Sequence, residues 1–120
     1  MTDAAIPPGE LLYSIAEPSR LRLLNSLAAG PMFVSDLQAV LDLPQPTVSR
    51  HLMVLRHSGV VRGDPVGPHV LYRLIRGPRP TAALLEAILT ALDNDPVYQS
   101  ERKRAQVRSR IRAQAGRATA

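Results

Sequence analysis

The chain has 120 residues, 45% of them hydrophobic and only 3% aromatic, with a net charge of +5 and no cysteine. That length suits one domain around one core, and the missing cysteine excludes disulfides, thiolate metal sites and cysteine redox switching. No stretch reaches the roughly 18 apolar residues of a membrane span, and the acidic start lacks the charged-then-apolar layout of a signal peptide, so a cytoplasmic protein is expected.

Pro7 and Pro8 precede a short helix predicted over 9–16, with Leu11, Leu12 and Ile15 on one face. Glu17 then caps a second helix whose first residue is Pro18, where a missing N–H does no harm. It runs to about residue 29 with Leu21, Leu24, Leu27 and Ala28 as its apolar stripe, and Gly30-Pro31 stops it. A third helix is predicted over 34–41, with Leu37, Val40 and Leu41 facing inward. Only Asp42-Leu43-Pro44 separates it from a fourth, over 45–58, with Pro46 in the first turn. Two short helices joined this tightly make a helix-turn-helix pattern.

The fourth helix opens with hydrogen-bonding side chains, Gln45, Thr47, Ser49 and Arg50, and turns apolar on one face through Leu52 and Leu55. A helix that enters the DNA major groove needs that order, because its N-terminal residues touch the base edges while the rest anchors it. Gly59 supplies a left-handed stop. Residues 60–63 and 70–75 have strand composition, and Asp64-Pro65-Val66-Gly67-Pro68 between them is turn chemistry, so a β-hairpin wing is predicted.

Gly77-Pro78-Arg79-Pro80 breaks the chain before a fifth helix over 81–92. Its aliphatic stripe (Leu84, Leu85, Ile88, Leu89 and Leu92) is wide for a terminal helix, and with Leu11, Leu12 and Ile15 it forms a candidate dimer seam; packing within one chain is the alternative. Asp95-Pro96 repeats the cap-plus-proline signal, and a sixth helix is predicted from 97 toward 115, ended by Gly116. Val97, Tyr98, Val107 and Ile111 make no convincing stripe, so this helix is expected to lean on a dimer or project into solvent. Residues 101–120 hold seven Lys/Arg against one Glu, whereas residues 1–100 hold eight Arg against nine acids. The high pI therefore comes from the tail, which is either a solvated extension or a phosphate-attracting one. The expected fold is mainly α with a small β-hairpin: a winged helix-turn-helix domain of five core helices over 1–92, then a basic helical extension over 93–120.

Several strings in this order resemble the arsenic-repressor/metallothionein-repressor (ArsR/SmtB) family of bacterial winged-helix regulators: Ala16-Glu17-Pro18-Ser19-Arg20-Leu21-Arg22-Leu23-Leu24, Val34-Ser35-Asp36-Leu37, Gln45-Pro46-Thr47-Val48-Ser49-Arg50-His51-Leu52, Leu55-Arg56-His57-Ser58-Gly59-Val60-Val61 and Tyr72-Arg73-Leu74. The resemblance covers about residues 10–92. It implies a homodimer, joined through its first and last core helices, that binds a palindromic operator on double-stranded DNA as a repressor and lets go when a metal or small-molecule inducer binds. It also implies that Gln45, Thr47, Ser49 and Arg50 read bases, as their chemistry allows: arginine forks onto guanine and glutamine onto adenine. His51 is expected to pack or to touch a phosphate; Arg62, His69 and Arg73 of the wing are candidates for the backbone or minor groove. Pro44 stands where the family commonly has a capping serine, so the helix start must satisfy its N–H groups by other means.

The family's metal sites are a poor fit. Phe33 and Ser35 occupy the positions of a cysteine pair, and the fifth helix offers Glu86 but no histidine. His51, His57 and His69 do not assemble the tetrahedral set that zinc wants. Asp93, Asp95 and Glu101 read as caps and surface charges before they read as ligands. No metal or cofactor is expected. The alternatives to a DNA-binding regulator without a cysteine site are a regulator with a non-cysteine metal site and a winged helix used as a protein-interaction module. An enzyme is not expected: there is no glycine-rich phosphate loop, and Ser49 and His51, two apart on a helix, do not face each other.

Overall fold

The computed structural model describes the backbone of residues 7–77 and 81–119, with side chains through residue 110. In chain order the elements are α1 (Pro8–Ile15), α2 (Pro18–Leu27), β1 (Met32–Phe33), α3 (Val34–Leu41), α4 (Gln45–His57), β2 (Val61–Val66), β3 (His69–Leu74), α5 (Ala82–Asp93) and α6 (Pro96–Thr119). The winged helix-turn-helix with five core helices and a helical extension is thus the observed architecture, with the two strands of the wing joined by a third. Pro78, Arg79 and Pro80, part of the predicted break after the wing, lie outside the described residues.

Local chemistry accounts for the helix starts. The Glu17 carboxylate accepts from the backbone N–H groups of Ser19 and Arg20, closing the first turn of α2 behind Pro18. Burial pushes that carboxyl up, but the two N–H groups hold it below its ordinary value on balance. At α3 the Phe33 N–H donates to Asp36 Oδ2 at 2.9 Å, the backbone half of a capping box. Asp42, with φ 54°, ends α3 in the left-handed region, and Gly59, with φ 79°, ends the turn after α4.

The sheet has strand order β1-β3-β2 and is antiparallel throughout. β1 pairs Met32 with Tyr72 and Phe33 with Leu71, tying the wing to the start of α3. β2 and β3 stay in register from Val61 opposite Leu74 to Val66 opposite His69. The wing turn is therefore Gly67-Pro68 alone, shorter than the five-residue turn predicted. Asp64 and Pro65 are strand residues because β2 is an edge, where a proline withholds no ladder hydrogen bond. Gly67 has φ +59°, the positive φ that the first position of a tight two-residue hairpin turn requires.

The core is aliphatic and continuous. Leu23, Leu24, Leu37, Leu41, Val48, Leu52 and Leu55 from the central helices pack with Leu11 and Ile15 of α1, Met32, Val61, and Leu85 and Leu89 of α5. α6 joins this body. It lies against α2, α3 and α5 of its own chain, with Ala105 fully buried and Glu101 5% exposed. Of the two expectations for this helix, projection into solvent is corrected here, because a single alanine and a set of long-range polar contacts seat the helix without an apolar stripe; Val97 and Val107 stay exposed. Nor does Gly116 end it, since the helix continues to Thr119. The Ile111 side chain lies outside the described residues. Among the described residues, no helix is long and apolar enough to cross a membrane.

Candidate nucleic-acid interface

The first two turns of α4 carry the polar set. Gln45 and Arg50 are exposed, Thr47 and Ser49 half-buried. Gln45 Nε2 donates to Ser49 Oγ at 2.8 Å, so these two side chains stand side by side one turn apart. The proline cap offers no side-chain acceptor; instead the Pro44 carbonyl accepts from Thr47 N and Val48 N, both at 3.1 Å. Pro46 removes one donor that would otherwise need a partner. Behind the polar turn, Val48, Leu52 and Leu55 are fully buried, which fixes the rotation of the helix and presents Gln45, Arg50 and Met53 outward. Arg56 and His57 in the last turn complement the negative end of the helix dipole.

His51 faces inward. It is 8% exposed, and its Nδ1 lies 3.2 Å from Arg20 Nη1, which must donate to it. Arg20 Nε in turn donates to the carbonyl of Ser14, so α1, α2 and α4 meet at this histidine. Burial pushes its pKa below the ordinary value; Arg20 and Arg50 push the same way against Glu17. Among the DNA-binding candidates, His51 thus stands apart as a packing residue, held inside by its place on the Leu52 side of the helix.

The wing presents Arg62, His69 and Arg73. Arg62 and Arg73 are direct cross-strand partners, and Asp64, two residues along β2 on the same face, bridges them: Oδ1 is 3.3 Å from Arg62 Nε and Oδ2 is 2.9 Å from Arg73 Nε. Sequence reading placed Asp64 in a turn and so missed this. The i, i+2 spacing of Arg62 and Asp64 would have shown it had the strand been recognised as longer. The exposed His69 ring meets Phe33 edge-on at 5.9 Å between centroids. Gln45 and His69 border one cleft of about 350 Å³, also lined by Phe33, Ser35, Gln38 and Tyr72. The start of α4 and the tip of the wing therefore flank a common recess.

The seam candidates divide. Leu11, Ile15, Leu85 and Leu89 are buried in the core of one chain, and Leu92 is 8% exposed. Leu84 and Ile88 are half-buried, and Leu12 is 46% exposed with Tyr13 beside it at 81%. For a second copy, one chain leaves Leu12, Leu84 and Ile88 accessible. Ligand candidates are engaged elsewhere: Asp95 Oδ1 accepts from Val97 N, Glu86 pairs with Arg76, and Glu101 pairs with Arg22. Among the described residues, no three metal-ligating side chains converge.

Among the described residues of the basic tail, Arg102 and Arg108 turn inward, while Arg104 is exposed beside Glu101. Arg102 reaches Asn25 Oδ1, the Leu89 carbonyl and Asp93, Arg104 lies 3.6 Å from Glu101, and Arg108 donates to the buried Asp36 carboxylate at 2.8 Å. Lys103 and Arg110, like Arg104, are exposed.

Comparison with known proteins agrees with this geometry. Residues 17–62 match the family model described as bacterial regulatory protein, arsR family. The chain is 40% identical over 100 residues to the HTH-type transcriptional regulator NmtR of Mycobacterium tuberculosis, covering 83% of this chain and 75% of that one. It is 44% identical over 66 residues to the HTH-type transcriptional repressor SmtB of the same organism, covering 55% of this chain and only 49% of that protein's length. Among solved structures, the transcriptional repressor BigR from Xylella fastidiosa superposes with a TM-score of 0.60 at 34% identity, covering 69% of this chain and 80% of that one.

Proposed function

This chain belongs to the arsR family of bacterial regulatory proteins, and from that premise we propose that it is a homodimeric repressor of transcription. It acts in the cytoplasm and has no enzymatic role. Its DNA-binding and dimerisation unit spans 1–92, with 93–120 as a basic helical extension. Gln45, Thr47, Ser49 and Arg50 read base edges in the major groove, and Arg62, His69 and Arg73 of the wing grip the backbone beside it. His51 acts indirectly, by holding α4 against α1 and α2. Two copies meet through α1 and α5, with Leu12, Leu84 and Ile88 at the contact and Leu11, Ile15, Leu85, Leu89 and Leu92 supporting them from beneath. The operator is then a palindrome with half-sites about one helical turn apart. With no cysteine in the chain, any inducer is a small molecule or an ion held by other ligands.

The observation that carries this reading is the polar opening of α4, its first two turns. Gln45 and Arg50 project there, with Thr47 and Ser49 half-buried beside them, from a helix whose opposite face is locked in the core. An interaction surface would more often present aromatics.

The test is selection of bound duplexes from genomic fragments by the purified protein, at moderate salt and with chelator present. The reading expects enrichment of a palindromic motif. Enrichment of no sequence would leave the winged helix serving a protein partner.

A further inference from the structure

We propose that Asp64 is a built-in competitor of the DNA backbone: Arg62 and Arg73 form a clamp for a single phosphate, and the Asp64 carboxylate fills that clamp when DNA is absent. The proposal rests on the DNA-binding reading above and adds to it a residue that tunes affinity.

Arg62 and Arg73 face each other directly across the β2–β3 ladder. Two like charges in that position repel mildly, and an anion between them relieves that repulsion. Asp64 supplies it, giving one oxygen to each guanidinium, at 3.3 Å and 2.9 Å. The two arginines are thus gathered around the two oxygens of one small anionic group. A phosphodiester offers the same pattern through its two non-bridging oxygens, and arginine suits either acceptor. The cluster is solvent-accessible, with side-chain exposures of 60% for Arg62, 38% for Arg73 and 37% for Asp64. An ion pair this exposed is weak, so a phosphate can displace the carboxylate at small cost. Once displaced, the carboxylate lies close to the phosphate that replaced it, and that repulsion opposes binding at every site along the duplex. Asp64 therefore lowers affinity for DNA of any sequence while leaving the base-reading turn of α4 untouched.

The experiment titrates the full chain, by fluorescence anisotropy, against the selected operator and against a random-sequence duplex at one fixed salt concentration. Compared are the wild type, Asp64→Asn, Arg62→Ala/Arg73→Ala, and the triple variant, with Asp64→Ser as a second replacement and thermal melts to verify folding. Asp64→Asn and Asp64→Ser are expected to tighten binding to both duplexes by about threefold to tenfold, with the preferred motif unchanged. In the arginine-free background the same change is expected to gain less than about twofold, because the clamp is gone. Unchanged or weaker binding by both Asp64 variants, while the wild type binds normally, would overturn the competitor role alone. An equal gain in the arginine-free background would reduce Asp64 to a generic surface charge and overturn it too. If the wild type binds neither duplex, the DNA-binding reading falls and the clamp falls with it.

Discussion

Arg22 and Glu101, 79 residues apart, form a two-toothed ion pair: Arg22 Nε and Nη2 both donate to Glu101 Oε2, at 3.0 and 2.8 Å. Nη2 also donates to the Leu41 carbonyl at the end of α3, 2.8 Å away. The guanidinium thereby joins α2, α3 and α6 at the back of the helix-turn-helix, and the Glu101 side chain is only 7% exposed. Removing Arg22 strands a buried carboxylate, for which the usual cost is roughly 3–5 kcal/mol. Arg22 is itself 32% exposed and Arg104 stands 3.6 Å from the same carboxylate, so about 2–4 kcal/mol is expected for Arg22→Ala. That corresponds to a fall in Tm on the order of 10 °C, against little change for Ala at the exposed Arg110. Truncation after Ser100 deletes Glu101, Ala105 and Arg108 together and should destabilise further. Thermal melts of the three proteins check this; a truncated chain as stable as the full one would make α6 an ornament.

Accessibility within one chain separates two kinds of seam residue. Leu12, already 46% exposed, should tolerate Glu in the monomer fold but not in a dimer. Leu12→Glu is expected to halve the sedimenting mass while leaving the far-ultraviolet circular dichroism intact. Leu11→Glu should unfold the chain, since Leu11 is 1% exposed. If the wild type and Leu12→Glu sediment alike, α1 is not at the contact.

His51 makes stability depend on pH. Its folded-state pKa lies below the ordinary 6.5 because of burial, reinforced by Arg20 and Arg50. The unfolded chain therefore takes up a proton first, so the stabilisation is complete above 6.5 and is lost as pH falls through the folded value. Protonation of Nδ1 also forbids acceptance from Arg20. Glu17, held below 4.5, acts in a lower window. Urea melts between about pH 7.5 and 5 should show the wild type weakening more steeply than His51→Gln. Parallel slopes would mean that the imidazole does not titrate on unfolding.

The sequence made legible those features that depend on neighbours. Glu17-Pro18 announces a capped helix, Gly59 a stop, and the polar-then-apolar order of 45–55 the orientation of α4. β1 escaped notice because two residues show no alternation; it exists only because β3 lies beside it. Asp64 and Pro65 read as turn chemistry because their edge position, which tolerates both, is a property of the assembled sheet. Projection of α6 into solvent was expected for a related reason. A helix with a weak stripe looks solvent-bound unless Arg22, Asn25 and Asp36, all at least 72 residues distant from their α6 partners, can be foreseen as acceptors and donors. At the candidate interface, residue types pointed to Gln45, Ser49 and Arg50, but only packing separates these outward-facing side chains from His51.

Base reading by the opening turns of α4 is tested most sharply at Arg50. We would titrate the selected operator, and a set with each base pair of a half-site replaced in turn, with the wild type and with Arg50→Ala. Arg50→Ala is expected to lose about 1–3 kcal/mol on the intact operator and to become indifferent to replacement at one particular base pair that the wild type discriminates. Equal affinity and the same preference at every base pair would contradict it.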